Sequence, residues 1–146
     1  MENSMKTVSQ LIHGKDNKIW SVAPDDKVHN AVKLLVEKDI GALLVIKGKK
    51  LVGVVSERDC TRKTLLSGLS AFETTVESIM TSKVACAKPD YTIDECMALM
   101  SKKRVRHLPI MDGDKIVCVI SVGDLVKEVI AEQQMLINHL EHYISG

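Results

Sequence analysis

Charge of one sign is missing from this sequence. Its 146 residues carry 20 Lys and Arg against 19 Asp and Glu, a formal net charge of +1. A nucleic-acid binder should show a cationic excess or a basic stripe, and an acidic solvating tail the reverse, so neither class fits. Long apolar runs are missing too. None is longer than Ala42–Ile46, whereas a membrane-spanning helix needs about 20 residues. The first residues, Met1-Glu2-Asn3-Ser4-Met5-Lys6, lack the apolar stretch of a secretory signal, and the expected location is the cytoplasm. The four cysteines, Cys60, Cys86, Cys96 and Cys118, form no C-x-x-C pair, and no His stands at zinc-finger spacing from two of them. They read as reduced, mostly buried thiols. There is no Walker A loop, no G-x-G-x-x-G fingerprint, and no His and Asp arranged around a serine to activate it. His139 and His142 stand one turn apart around Glu141 without a third ligand for a metal. The chain is therefore read as a non-enzyme with no catalytic residue and no metal site.

What the sequence does have is globular balance and repetition. Hydrophobic residues make up 45% and charged residues 27%, ordinary values for a folded domain. Displaced by 65 residues, the chain matches itself. Pro24-Asp25 falls on Pro89-Asp90, Leu34 on Leu99, Lys38 on Lys103, Leu43 on Leu108, Gly48 on Gly113 and Lys50 on Lys115. Val52, Val54, Ser56 and Asp59 fall on Val117, Val119, Ser121 and Asp124. That is 11 identities in the 42 pairs from Ile19 to Cys60, where an average composition gives about two or three by chance. Upstream, Thr7-Val8 and Leu11-Ile12 match Thr75-Val76 and Ile79-Met80 at a spacing of 68. The chain is thus a tandem duplication, with units expected at residues 7–68 and 75–131 and an extension over 132–146.

One unit reads as strand, helix, strand, strand, helix. Ile19–Ala23 is a short strand closed by Pro24, and a helix then begins at Asp25-Asp26, with acids in its first turn and apolar residues at helical spacing. Ala42–Ile46 and Leu51–Val55 form a hairpin around Gly48, and Ser56 opens a helix through about Leu66. The second copy repeats the order with a strand at Val84–Ala87, a helix at Ile93–Lys102, a hairpin of His107–Met111 and Ile116–Ile120, and a helix from Val122. The expected fold class is α+β, two three-stranded sheets flanked by helices in a pseudo-two-fold pair with a cleft between them. Units of about 60 residues are marginal alone, so the two should pack on each other. The last helix overruns its repeat, with Ile130, Ile137 and Ile144 seven apart. Such a stripe wants a partner, and a homodimer is expected over packing on the chain's own core.

The strongest local signal is a buried strand running into Ser-x-x-Asp: Ser56-Glu57-Arg58-Asp59 and Ser121-Val122-Gly123-Asp124. Each is a capping box on its face. Each also exposes helix N–H groups that attract phosphate, beside an Asp able to accept the hydroxyls of a ribose.

These stretches, with Gly41-Ala42-Leu43-Leu44-Val45 and Arg106-His107-Leu108-Pro109-Ile110, resemble a pair of CBS domains (a Bateman module) from about Thr7 to Ala131. The likeness is nearest to stand-alone bacterial proteins of one such pair with an extended C-terminal helix. The resemblance implies a regulatory module that binds an adenosine-containing ligand between its units. It implies Asp59 and Asp124 on ribose hydroxyls with Ser56 and Ser121 nearby, and Gly41, Ala42, Leu43, Arg106, His107, Leu108 and Pro109 along the adenine slot. Ser21 fits the family's position three before the proline, Cys86 departs from it, and Cys118 replaces the glycine that Gly53 keeps.

Phosphate needs cations, and Arg104 and Arg106 at one site and Arg58, Arg62 and Lys63 after the other are available, either as ligands or as solvated surface. His107 is a phosphate partner or a core-edge histidine, and Trp20 an adenine platform or a core residue. The expected ligand is AMP first, with ADP, ATP, NAD(H) or S-adenosylmethionine as alternatives. The output would pass through conformation or assembly to an effector protein not identified by the sequence. The alternative is a constitutive dimerising scaffold in which both Ser-x-x-Asp motifs only cap helices.

Overall fold

A computed structural model describes residues 6–13 and 18–145. Contacts divide the chain into two compact units, one of Lys18–Val84, the other of the N-terminal segment together with the chain from Ala85 onward. The compact units therefore do not coincide with the sequence repeats. Each repeat opens with a short helix, α1 (Val8–Ile12) or α4 (Val76–Ile79). Val8 and Leu11 of α1 are buried with Ala87, Ile93, Leu108 and Ile110 of the second repeat. Val76 and Ile79 of α4 are buried with Val22, Val28, Leu43 and Val55 of the first. Hydrogen bonds fix both helices in the same way. Val76 and Glu77 N–H donate to the Asp26 and Pro24 carbonyls (2.8 and 2.9 Å), and Val8 and Ser9 N–H donate to those of Tyr91 and Pro89 (2.8 and 2.9 Å). The Pro-Asp turn of each unit thus accepts the N–H groups that a helix start leaves unpaired.

In the Lys18–Val84 unit, β1 (Ser21–Val22) pairs parallel with β2 (Ala42–Lys47), which pairs antiparallel with β3 (Lys50–Ser56). Helix α2 (Val28–Lys38) packs Val28, Ala31 and Leu35 on the sheet. It starts after Lys27 rather than at Asp25-Asp26. Those aspartates lie in the turn, where Asp26 Oδ2 accepts the Ala23 N–H (2.8 Å), an acid used to close a loop instead of a helix. Helix α3 (Glu57–Cys60) continues as one π-helical turn over Thr61–Leu65.

The second unit repeats α5 (Ile93–Lys103), β4 (His107–Asp112), β5 (Lys115–Ser121) and α6 (Val122–Ser145). Both hairpins turn on a glycine of positive φ, Gly48 (64°) and Gly113 (61°). Both shift register at equivalent steps, Val45/Ile46 and Ile110/Met111. The expected third strand here is only a parallel bridge between Ala87 and Ile110. The cause is Pro109. At the equivalent place Leu44 N–H donates to the Trp20 carbonyl (3.2 Å), a bond that proline cannot make. Among the described residues no helix is long and apolar enough to cross a membrane.

Candidate functional site

Both hairpins end on Ser-x-x-Asp with the same local geometry. In the first, Asp59 N–H donates to Ser56 Oγ (3.0 Å) and Ser56 N–H donates to Asp59 Oδ2 (2.9 Å). In the second, Asp124 N–H donates to Ser121 Oγ (3.1 Å) and Ser121 N–H to Asp124 Oδ2 (2.8 Å). Each box uses only one carboxylate oxygen. The next N–H ties the helix start to the segment entering the hairpin: Glu57 donates to Gly41 O (2.9 Å) and Val122 to Arg106 O (2.8 Å). In the antiparallel register Ala42 faces Ser56, and His107 faces Ser121.

Gly41, Ala42, Ser56 and Asp59 therefore meet at one end of the first sheet, and Arg106, His107, Ser121 and Asp124 at the same end of the second. Exposed Ser21 on β1 lies opposite Leu44, two residues along β2 from Ala42. Leu43, Leu108 and Pro109 are buried side chains, so these positions shape the site through backbone alone.

The other candidates divide. Arg58 and Arg106 are exposed. Arg104 sits in the left-handed region (φ 55°) where α5 ends. Trp20 packs on its unit's core, and Lys38 Nζ lies over its ring, 4.2 Å from the centroid. Cys86 is half-buried, and burial pushes its thiol up; burial with neighbouring carboxylates lifts Cys60 and Cys96 to about 11. Such thiols are protonated and poor nucleophiles. Burial holds His107 below its ordinary value; the Arg106 charge pushes the same way and Asp124 opposes. His107 thus offers a neutral imidazole near pH 7. Among the described residues no three His, Cys, Asp or Glu side chains could hold a metal ion together.

One feature escaped the sequence reading. Lys63 Nζ is not free for phosphate: it pairs with Asp59 Oδ1 (3.3 Å) and donates to the Ile79 carbonyl (3.1 Å). The signal was the i,i+4 spacing of Asp59 and Lys63 on one helical face.

A carboxylate, a hydroxyl and a helix start converge at the same place in two repeats. Comparison with known proteins agrees on the architecture. The CBS domain family profile matches residues 9–65 and 76–131. The mitochondrial CBS domain-containing protein CBSX3 of Arabidopsis thaliana is 32% identical over 150 residues, covering 96% of this chain and 72% of that protein. A CBS-domain protein from Burkholderia ambifaria superposes with a TM-score of 0.84 at 49% identity, covering 88% of this chain and 96% of that one. The CBS domain pair of protein MJ0100, solved in complex with 5′-methylthioadenosine and S-adenosyl-L-methionine, superposes at 0.76 with 22% identity, covering 88% and 98%. The two matched segments coincide with the two copies of the sequence repeat, and the chain belongs to the CBS-domain family.

Proposed function

We propose that the chain is a regulatory module that binds an adenosine-containing ligand, AMP first among ADP, ATP, NAD(H) and S-adenosylmethionine, and acts through conformation or assembly. The observation that carries this reading is the spare carboxylate oxygen. The capping box at Ser121 uses Asp124 Oδ2 only, and among the described residues nothing bonds Oδ1. A cap needs one acceptor; a second, at the mouth of a helix start beside Arg106 and a neutral His107, suits a ribose hydroxyl with phosphate nearby. The MJ0100 pair holds two adenosine compounds on the same fold, which supports the ligand class. In this reading Ser21, Gly41, Ala42, Leu43, Ser56, Arg58 and Asp59 serve the first repeat, and Arg106, His107, Leu108, Pro109, Ser121 and Asp124 the second; Trp20 and Cys86 line the edges.

Assembly has a surface ready. Along α6, Ile130, Leu136, Ile137 and Leu140 are about half exposed, and their spacing continues the stripe beyond the repeat. The occupant proposed for it is a second copy of the chain.

The complete caps favour one other reading, a ligand-free dimerising scaffold. Calorimetric titration of ligand-stripped protein with AMP, ADP, ATP, NAD+, NADH and S-adenosylmethionine decides between them. Micromolar binding of an adenine ligand, weakened in Asp124→Ala while the fold survives, is the expected result. No heat from any of the six, with Asp124→Ala costing only the ~1 kcal/mol of a lost cap, would leave the scaffold.

A further inference from the structure

We propose that Lys63 is an internal occupant of the Asp59 seat, so that the two carboxylates, alike in sequence, offer ribose hydroxyls different numbers of free acceptors. The inference rests on the ribose-binding reading above and adds a determinant of which seat binds tighter.

A carboxylate has about four lone-pair sites. Asp59 spends two on Oδ2, accepting from Ser56 N–H and Ser56 Oγ–H (2.9 and 3.0 Å), and one on Oδ1, facing Lys63 Nζ (3.3 Å). Asp124 spends one, on the Ser121 N–H (2.8 Å). The ammonium is held in place from its other side. It also donates to the carbonyl of Ile79, the last residue of α4, where helical carbonyls lack intrahelical partners. Lys63 therefore bridges the site to α4 within one compact unit, and it leaves Asp59 only by giving up two partners. The second repeat inverts this charge. Glu128 stands four residues after Asp124, where Lys63 stands after Asp59, and it pairs with Lys6. A carboxylate at that place cannot neutralise Asp124, so the second seat keeps its spare oxygen. A diol that needs two acceptors finds them at Asp124 and must displace Lys63 at Asp59.

Adenosine is the probe, because it carries the diol and no phosphate. In Asp124→Ala protein, where only the Asp59 seat remains, Lys63→Met is expected to tighten adenosine binding about three- to fivefold, the range of a partly exposed ion pair. Lys63→Gln, whose amide can still serve the Ile79 carbonyl without the charge, is expected to do the same, which covers the case in which the methionine variant folds poorly. Lys63→Arg, which keeps the cation, is expected to leave affinity unchanged. In Asp59→Ala protein the Lys63 substitutions are expected to have no effect.

The inference fails if Lys63→Met and Lys63→Gln leave adenosine unchanged while weakening AMP, since Lys63 would then be a phosphate ligand. It fails equally if the single-seat proteins bind adenosine with the same affinity. Either result leaves the ribose-binding reading intact. If folded, ligand-free wild-type protein binds neither adenosine nor AMP, the reading falls and this inference with it.

Discussion

The first and second repeats keep the same backbone and differ in what they hang on it. Asp39 and Arg104 end equivalent helices in the left-handed region (φ 51° and 55°), both hairpins shift register at the same step, and both Ser-x-x-Asp caps close on the same atoms. The differences are single side chains with local consequences. Leu44 becomes Pro109 and a strand shrinks to a bridge. Gly53 becomes Cys118, Ala42 becomes His107, and Lys63 becomes Glu128. Duplication here conserves the geometry that places a carboxylate at a helix start, while the polar surroundings of that carboxylate are free to diverge. Two seats of one shape then need not have one chemistry.

The largest test of the shared backbone is in the cores. Leu43 and Leu108 are equivalent and both buried (1% and 0% exposed). Leu43→Ala and Leu108→Ala are each expected to cost about 2–5 kcal/mol, the range for a leucine deleted from a close-packed core. Urea unfolding of the two variants checks this. A difference beyond about 2 kcal/mol would mean that the sites collapse unequally and that the cores are not equivalent.

Gly53 and Cys118 give the next effect. A β-carbon on Gly53 would lie 2.5 Å from Met80 Sδ and 3.0 Å from the Thr81 carbonyl oxygen. The thioether can swing away. The carbonyl cannot, because Thr81 is bridged to β3 through the Val54 N–H (3.0 Å) and its own N–H (2.9 Å). Gly53→Cys, which writes the second repeat's residue into the first, is expected to cost about 1–3 kcal/mol as overpacking does. Met80→Ala should recover only part of it, since the backbone contact remains. Full recovery would show that the side chain alone enforces the glycine.

The repeat, the hairpins, the amphipathic helices and the two caps were legible because each rests on local spacing that the duplication states twice. The family was legible for the same reason. Less local facts were not. Nothing in the order of residues says that α1 packs with the second repeat's core and α4 with the first's, since that is decided by which apolar faces meet across long separations. Asp25-Asp26 looked like a helix start because acids suit that position, yet Asp26 closes the turn before it. Pro109 belongs to the stretch that carries the family resemblance, and its cost to the neighbouring strand shows only when the missing N–H is set against the Leu44 bond. By sequence Lys63 stands among the cations near the site, whereas geometry spends it on Asp59 and Ile79.

The smallest expected effect isolates His107, which the first repeat replaces with Ala42. Burial, reinforced by Arg106, holds the folded imidazole below the ordinary 6.5. In the pH window between the folded and the ordinary value, the unfolded chain binds the proton and the folded chain does not. The unfolded state then holds more protons, so stability rises with pH across that window. The stability His107 contributes as a neutral group is complete above about 6.5 and is lost as pH falls toward and through the folded value. Wild-type protein should therefore lose more urea resistance between about pH 7.5 and about pH 5.5 than His107→Ala. Asp124 sharpens the point, because its charge is the one influence favouring the protonated ring. Asp124→Asn keeps the side chain's shape but drives the folded imidazole further down, so the loss on acidification should grow. If Asp124→Asn instead flattens the pH response, the Asp124 charge does not favour the protonated ring, and the contrast between Ala42 and His107 carries no electrostatic meaning.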